Sequence, residues 1–163
     1  MHDPPPTDRR KLWLVDGTLI PVHDRKRTAK SKNCRRSVNA RVVCRARDRR
    51  VVAVGRAWPG NRNDVVVFLE TLGQTVPAHP RLSGDGGYWG IGTVRSPLGG
   101  PNGKIIKDRA YRRFRKRRAV AEHALARLKD HQVLRQCRRK GDSTDHATIG
   151  VAVLRNLKLE IIA

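Results

Sequence analysis

Three acidic residues stand where their surroundings give no ordinary reason for a carboxylate. Asp16 interrupts the apolar run Leu12-Trp13-Leu14-Val15-Asp16-Gly17-Thr18-Leu19-Ile20, Asp85 lies in Gly84-Asp85-Gly86-Gly87-Tyr88, and Glu122 flanks the apolar stripe of a basic segment. Carboxylates brought together from separate elements supply the oxygen ligands that Mg²⁺ prefers. Two such ions roughly 3.5–4 Å apart can activate a water or a 3′-hydroxyl and stabilise the leaving oxygen in phosphodiester displacement. Each acid also has a plainer reading. Asp16-Gly17 is a common hairpin-turn dipeptide, and Asp85 would satisfy backbone donors in a glycine-rich turn. Glu122, four residues after Arg118, would make a surface ion pair of little weight.

The partner follows from charge. The chain of 163 residues carries 36 Lys and Arg against 14 Asp and Glu, a formal charge of +22. Self-repulsion at that level calls for an anionic partner, and nucleic acid is the first choice. Residues 25–62 hold 14 basic and one acidic residue, and 104–140 hold 15 basic and three acidic. The first block follows Asp16 and the second bears Glu122, so the two would bracket those carboxylates with positive surface. No apolar run approaches the roughly 20 residues of a spanning helix, and the start MHDPPPTDRR lacks the apolar core of a signal peptide. A soluble, cytoplasmic, nucleoid-associated protein without a membrane partner is expected. Cys34, Cys44 and Cys137 form no C-x-x-C pair and are read as reduced thiols.

The elements that must position the acids read as a mixed α/β layer arrangement. Residues 1–10, with three consecutive prolines, form a flexible leader, and 11–163 a single domain. Residues 12–20 read as strand on either side of Asp16-Gly17, followed by an exposed basic loop from Pro21. Val38 to Ala46 and Val51 to Ala57 suggest an antiparallel hairpin. Asn63 or Asp64 offers an N-cap for a helix to about Leu72, against which Val65-Val66-Val67 argues for strand. Arg81 to Gly84 reads as a short strand end, Gly84 to Gly87 as an irregular turn, and Gly90 to Gly103 as loop, with Pro77 and Pro80 as punctuation. From Lys107 to about His131 the pattern is helical, with Tyr111, Phe114, Ala121, Leu125 and Leu128 in one stripe interrupted by Arg118. Asp142-Ser143-Thr144-Asp145 caps a last helix in which Ile149, Val153 and Leu157 share a face.

In order and spacing, Val15-Asp16-Gly17-Thr18, Pro59-Gly60-Asn61-Arg62-Asn63-Asp64, Gly84-Asp85-Gly86-Gly87-Tyr88 and the segment from Arg118 to Lys129 resemble the DDE transposases of bacterial insertion sequences and their Harbinger-type relatives. The resemblance runs from about Leu12 to Ile162. It implies a ribonuclease H-like fold with a mixed sheet of about five strands flanked by helices, and metal-dependent cleavage and joining of DNA at transposon ends and target. It makes Asp16, Asp85 and Glu122 the catalytic ligands of two Mg²⁺ or Mn²⁺ ions. Arg118, Arg127 and Lys129 become candidate DNA contacts, and Asp64 an auxiliary residue whose N-cap role is the alternative. A homodimer and a separate helix-turn-helix polypeptide are the partners it suggests, because family members carry such a region before the first Asp and only 15 residues precede Asp16 here. The chain departs from the family's usual His at Asn63, Lys at Gly86, and Arg and an aromatic at His123 and Leu125.

A non-catalytic nucleic-acid-binding protein, either a decayed transposase or a basic protein of ribosomal type, is the competing expectation. Gly99 to Ile105 lacks the first glycine and the final Ser or Thr of a P-loop. Trp58, Tyr88 and Trp89 are read as packing residues before base-stacking ones.

Overall fold

The apolar run holding Asp16 forms one continuous strand, β1 (Trp13–Pro21). All 9 of its residues pair antiparallel with β3 (Arg36–Arg45), Asp16 opposite Val42 and Gly17 opposite Arg41. Backbone held in a ladder through that point cannot also reverse, so the hairpin-turn alternative for Asp16-Gly17 is overturned. The computed structural model describes residues 10–30, 35–76 and 79–162, so almost all of the expected leader, Cys34 and Pro77 lie outside the described residues.

Among the described residues six strands, not about five, build a mixed sheet on the path β2–β3–β1–β6. β3 also pairs antiparallel with β2 (Ala29–Lys30), β4 (Val51–Val54) and β5 (Trp58–Pro59). β6 (Leu82–Ser83) lies parallel to β1, Leu82 beside Trp13. The strands beyond the expected set have two residues each, too short to show a period of two. The β3–β4 hairpin is as the sequence suggests, its connection passing through Arg49 with a left-handed φ of 62°.

α1 (Asp64–Thr71) settles the contest between cap and valine run in favour of helix. The Asn63 side chain accepts a hydrogen bond from the Val65 N–H, and Val67 and Phe68 are buried. Three valines cost a helix only tenths of a kcal/mol each, which capping and burial outweigh. α2 (Arg109–Leu128) is capped by Asp108, whose side chain accepts from the Tyr111 N–H. A single-turn helix, α3 (Gln132–Arg135), is unanticipated, and α4 (Ser143–Ile162) closes the chain.

The helices sort onto the two faces of the sheet. Trp13, Val15 and Val43 pack with Phe68 of α1, with Leu72 at its C-terminal cap and with Tyr88. On the other face, Leu14, Ile20, Ala40 and Val42 pack with Ala121, Ala124, Leu125 and Leu128 of α2 and with Val151 and Ala152 of α4. Asp16 alternates in phase with Leu14 and Ile20, which turns it toward α2. Within α4 the expected row Ile149, Val153 and Leu157 shares a face, but that face is exposed. The buried side is Thr144, Thr148, Val151 and Ala152. Small side chains there let the helix approach closely enough for Asn156 to bond both the N–H and the carbonyl of Val51 in β4.

Candidate active site

The site starts from the phase of β1 and the rotation of α2. Tyr111, Phe114, Ala121, Leu125 and Leu128 form the inward stripe of α2, and Arg118 falls within it. Its side chain is therefore only 15% exposed and must find partners near the sheet. It finds all three anomalous acids. Nη2 donates to Asp16 Oδ2 at 2.9 Å and lies 3.6 Å from Glu122 Oε1, while Nη1 lies 3.3 Å from Asp85 Oδ2. The Asp16 and Glu122 oxygens can thus be no farther apart than the sum of 2.9 and 3.6 Å.

Each acid is positioned differently. Asp16 is the most enclosed, and its Oδ1 accepts the N–H of Gly17 at 2.8 Å. Burial raises its pKa, against which the Arg118 charge and the Gly17 N–H work, while the neighbouring Asp85 charge adds to the rise. Asp85 caps the 3₁₀ turn Gly86–Tyr88, its Oδ1 accepting the Gly87 N–H at 2.9 Å. The backbone-satisfying role read from the sequence is therefore real, and it leaves Oδ2 directed at Arg118. Glu122 is exposed on α2 and reaches Arg118 across one helical turn, as the i,i+4 spacing suggests.

Among the described residues no three His, Cys, Asp or Glu side chains are grouped tightly enough to hold a metal ion as they stand. The chemistry of the donor set nevertheless fits one. Three carboxylates supply only hard oxygen ligands, and all three are directed at a single positive charge. Asp16, Asp85 and Glu122 are the residues that would hold it.

Arg41, which sequence reasoning passed over, forms a second charged cluster beside the first. Its side chain is 1% exposed and pairs with Asp64, and Nη1 donates to the Tyr88 hydroxyl at 3.3 Å. Asn39 also donates to Asp64, at 3.1 Å. A Cβ at position 17 would overlap the Arg41 guanidinium, so the glycine after Asp16 is what gives Arg41 its place across the ladder. The signal was present: a charge in Ala40-Arg41-Val42-Val43 is the same kind of anomaly as Asp16. Asp16, Asn39, Arg41, Arg62 and Asp64 line a cavity of about 520 Å³.

The family described as Transposase DDE domain matches residues 8–157. The chain belongs to this family. It is 40% identical over 154 residues to a Streptomyces albus G protein described as a candidate transposase for insertion sequence element IS112, a match covering 91% of the chain and 59% of that relative. The chain thus spans about three-fifths of the relative's length. No solved structure matches. The family leaves the reading as an unrelated basic protein of ribosomal type without support.

The other candidate residues of this DDE domain are more scattered. Arg127 is exposed and pairs with Asp130 at 3.3 Å. Lys129 is the C-cap of α2, half-buried, and burial lowers its pKa. Asp64 begins α1 behind the cap Asn63, and its contacts are with Arg41 and Asn39. Tyr88 is buried as a packing residue, whereas Trp58 lies against Arg62, 6.0 Å from ring centre to guanidinium. No helix among the described residues is long and apolar enough to cross a membrane. Cys44 and Cys137 are free thiols, and burial pushes Cys44 up to about 12.

Proposed function

We propose that Asp16, Asp85 and Glu122 are the divalent-metal ligands of a ribonuclease H-like catalytic domain, residues 11–163, that cleaves and joins DNA strands at transposon ends. The observation that carries the reading is that three acids from separate elements, in the family's order along the chain, address one cationic centre. Two bound Mg²⁺ or Mn²⁺ ions would activate the attacking water or 3′-hydroxyl and neutralise the leaving oxygen.

The chain's own part is placement. Asp16 is held by a strand whose neighbours Leu14 and Val15 are buried, so its carboxylate has little freedom. Asp85 is fixed by its bond to the Gly87 N–H. Glu122, exposed on α2, can adjust as ligands change. Arg127 and Lys129 extend the same helix as backbone-phosphate contacts, and Asp64 acts by holding Arg41. Recognition of the ends by a helix-turn-helix segment, on this polypeptide or a separate one, and pairing into a homodimer complete the proposal.

The test is strand cleavage of duplex DNA carrying the element's ends, with Mg²⁺ or Mn²⁺. Asp16→Asn, Asp85→Asn and Glu122→Gln should each lower the rate by about a hundredfold or more with DNA binding retained, because charge stabilisation by bound metal is worth several kcal/mol. Cleavage at an unchanged rate in all three variants would overturn the assignment.

A further inference from the structure

We infer that Arg118 is the resident cation of the metal-free site, and that metal entry displaces its guanidinium from the three carboxylates and so frees it for the substrate phosphate. This rests on the proposed metal-ligand reading and adds a residue that couples cation binding to DNA binding.

Arg118 occupies a position that helical periodicity gives to an apolar side chain, between Phe114 and Ala121. A guanidinium so enclosed is tolerated only when paired, and among the described residues its ion-pair partners are the three acids. The contacts are unequal. Only the one to Asp16 is a hydrogen bond; Glu122 is at ion-pair distance, and Nη1 near Asp85 is buried without a hydrogen-bond partner despite the 3.3 Å separation. A planar fork of five donors cannot align with three carboxylates arriving from a strand, a turn and its own helix. A compact divalent ion takes oxygen ligands from several directions and carries twice the charge.

The guanidinium and a metal ion cannot share the space, since both would seek the same oxygens while repelling each other. Without either, the carboxylates would face one another uncompensated, so Arg118 lets the site assemble before metal arrives. Once displaced it lies beside the ligands, on a helix already basic, with the geometry suited to a phosphate. The order follows: metal binding releases the cation that grips the substrate.

The test needs no DNA and no turnover. The metal-free full chain is titrated with Mn²⁺, the free ion being followed by electron paramagnetic resonance, and Tm is measured with and without Mn²⁺. Arg118→Gln should bind Mn²⁺ about tenfold more tightly than the wild type, equivalent to about 1.4 kcal/mol. It should melt lower when metal-free and gain more from Mn²⁺. Arg118→Lys keeps the charge without the fork and should fall between, which preserves the test if the Gln variant folds poorly. Equal or weaker Mn²⁺ binding in both Arg118 variants, with binding still abolished in Asp16→Asn, would overturn this inference and leave the metal-ligand reading standing. Absence of Mn²⁺ binding in the wild type and both Arg118 variants would overturn the two together.

Discussion

Asp16 is an ionisable group held against its own solvation, and the sign of its effect on stability follows from that. Burial raises its pKa above the unfolded value even with Arg118 attached. The folded state therefore holds a proton more readily than the unfolded one, and ionised Asp16 lowers stability above the raised pKa; the loss is recovered as pH falls through that value. Whatever the pH-independent cost of removing a partner of Arg118, the Tm of Asp16→Asn relative to the wild type in the metal-free form should accordingly shift in the variant's favour as pH rises from about 4 to neutral. Paired thermal melts at the two pH values check it; a gain of about 1 kcal/mol would appear as roughly 2–4 °C in a chain of this size. Gly17 calls for the opposite outcome. Gly17→Ala drives a methyl into the Arg41 guanidinium and should cost about 1–3 kcal/mol in urea unfolding, the range for overpacking. The three acids were legible in the sequence because each broke a local pattern, and Arg118 was legible as a break in a stripe. Their convergence was implied by the resemblance to transposases and by no local pattern, because which stripe position faces which strand residue depends on how α2 is rotated over β1, a tertiary quantity that no window of sequence contains.

Among the elements, the long ones were readable, and of the short strands only β6 was, read as a strand end between Arg81 and Gly84. β1, β3, β4, α1, α2 and α4 carry enough residues for periodicity and caps to speak, whereas β2 and β5 have two residues each and exist through what they pair with. β6 still matters to the site, since its parallel pairing beside β1 delivers the chain to Asp85. α4 was found with its exposed apolar row in view and its packed face unrecognised, because that face is made of threonine, alanine and one valine. Its grip on the sheet is polar as well as apolar. Asn156 receives the N–H of Val51 at 2.9 Å and donates to its carbonyl at 2.8 Å, clamping the start of β4. Asn156→Ala removes both bonds and should destabilise by about 1–3 kcal/mol, at roughly 0.5–1.5 kcal/mol for each bond. Hydrogen exchange should report faster exchange at Val51 than at the β1–β3 ladder, and equal protection at both would count against the clamp.

For the whole molecule, the sequence located the positive charge in two blocks, and the structure separates them by what the charges touch. In the first block Arg27 pairs with Asp142 and Asp145, Arg41 with Asp64, Arg45 with Asp48, and Arg50 with Glu160. The charges of those cations are already met by acids within the fold. In the first half of α2, Arg112, Arg113, Arg115, Lys116 and Arg117 are exposed and form no ion pair among the described residues. Under the proposed function, a helix that presents free cations on its outer side and Arg118 and Glu122 at the carboxylate cluster would lay a DNA backbone across the site. Binding through phosphates releases condensed counterions, so affinity falls with salt at a slope of about −0.9 per phosphate neutralised on duplex DNA. The combined variant Arg112→Gln, Arg113→Gln and Arg117→Gln should therefore flatten the plot of log affinity against log salt, by about one unit for each phosphate no longer neutralised, with Tm little changed. Arg27→Gln should do the reverse, lowering Tm while leaving the slope within error, because its charge is already held by Asp142 and Asp145. Fluorescence anisotropy on a duplex of arbitrary sequence between about 50 and 200 mM salt measures both. A slope that the α2 variant leaves unchanged would move the DNA path away from this helix and, with it, from the carboxylates.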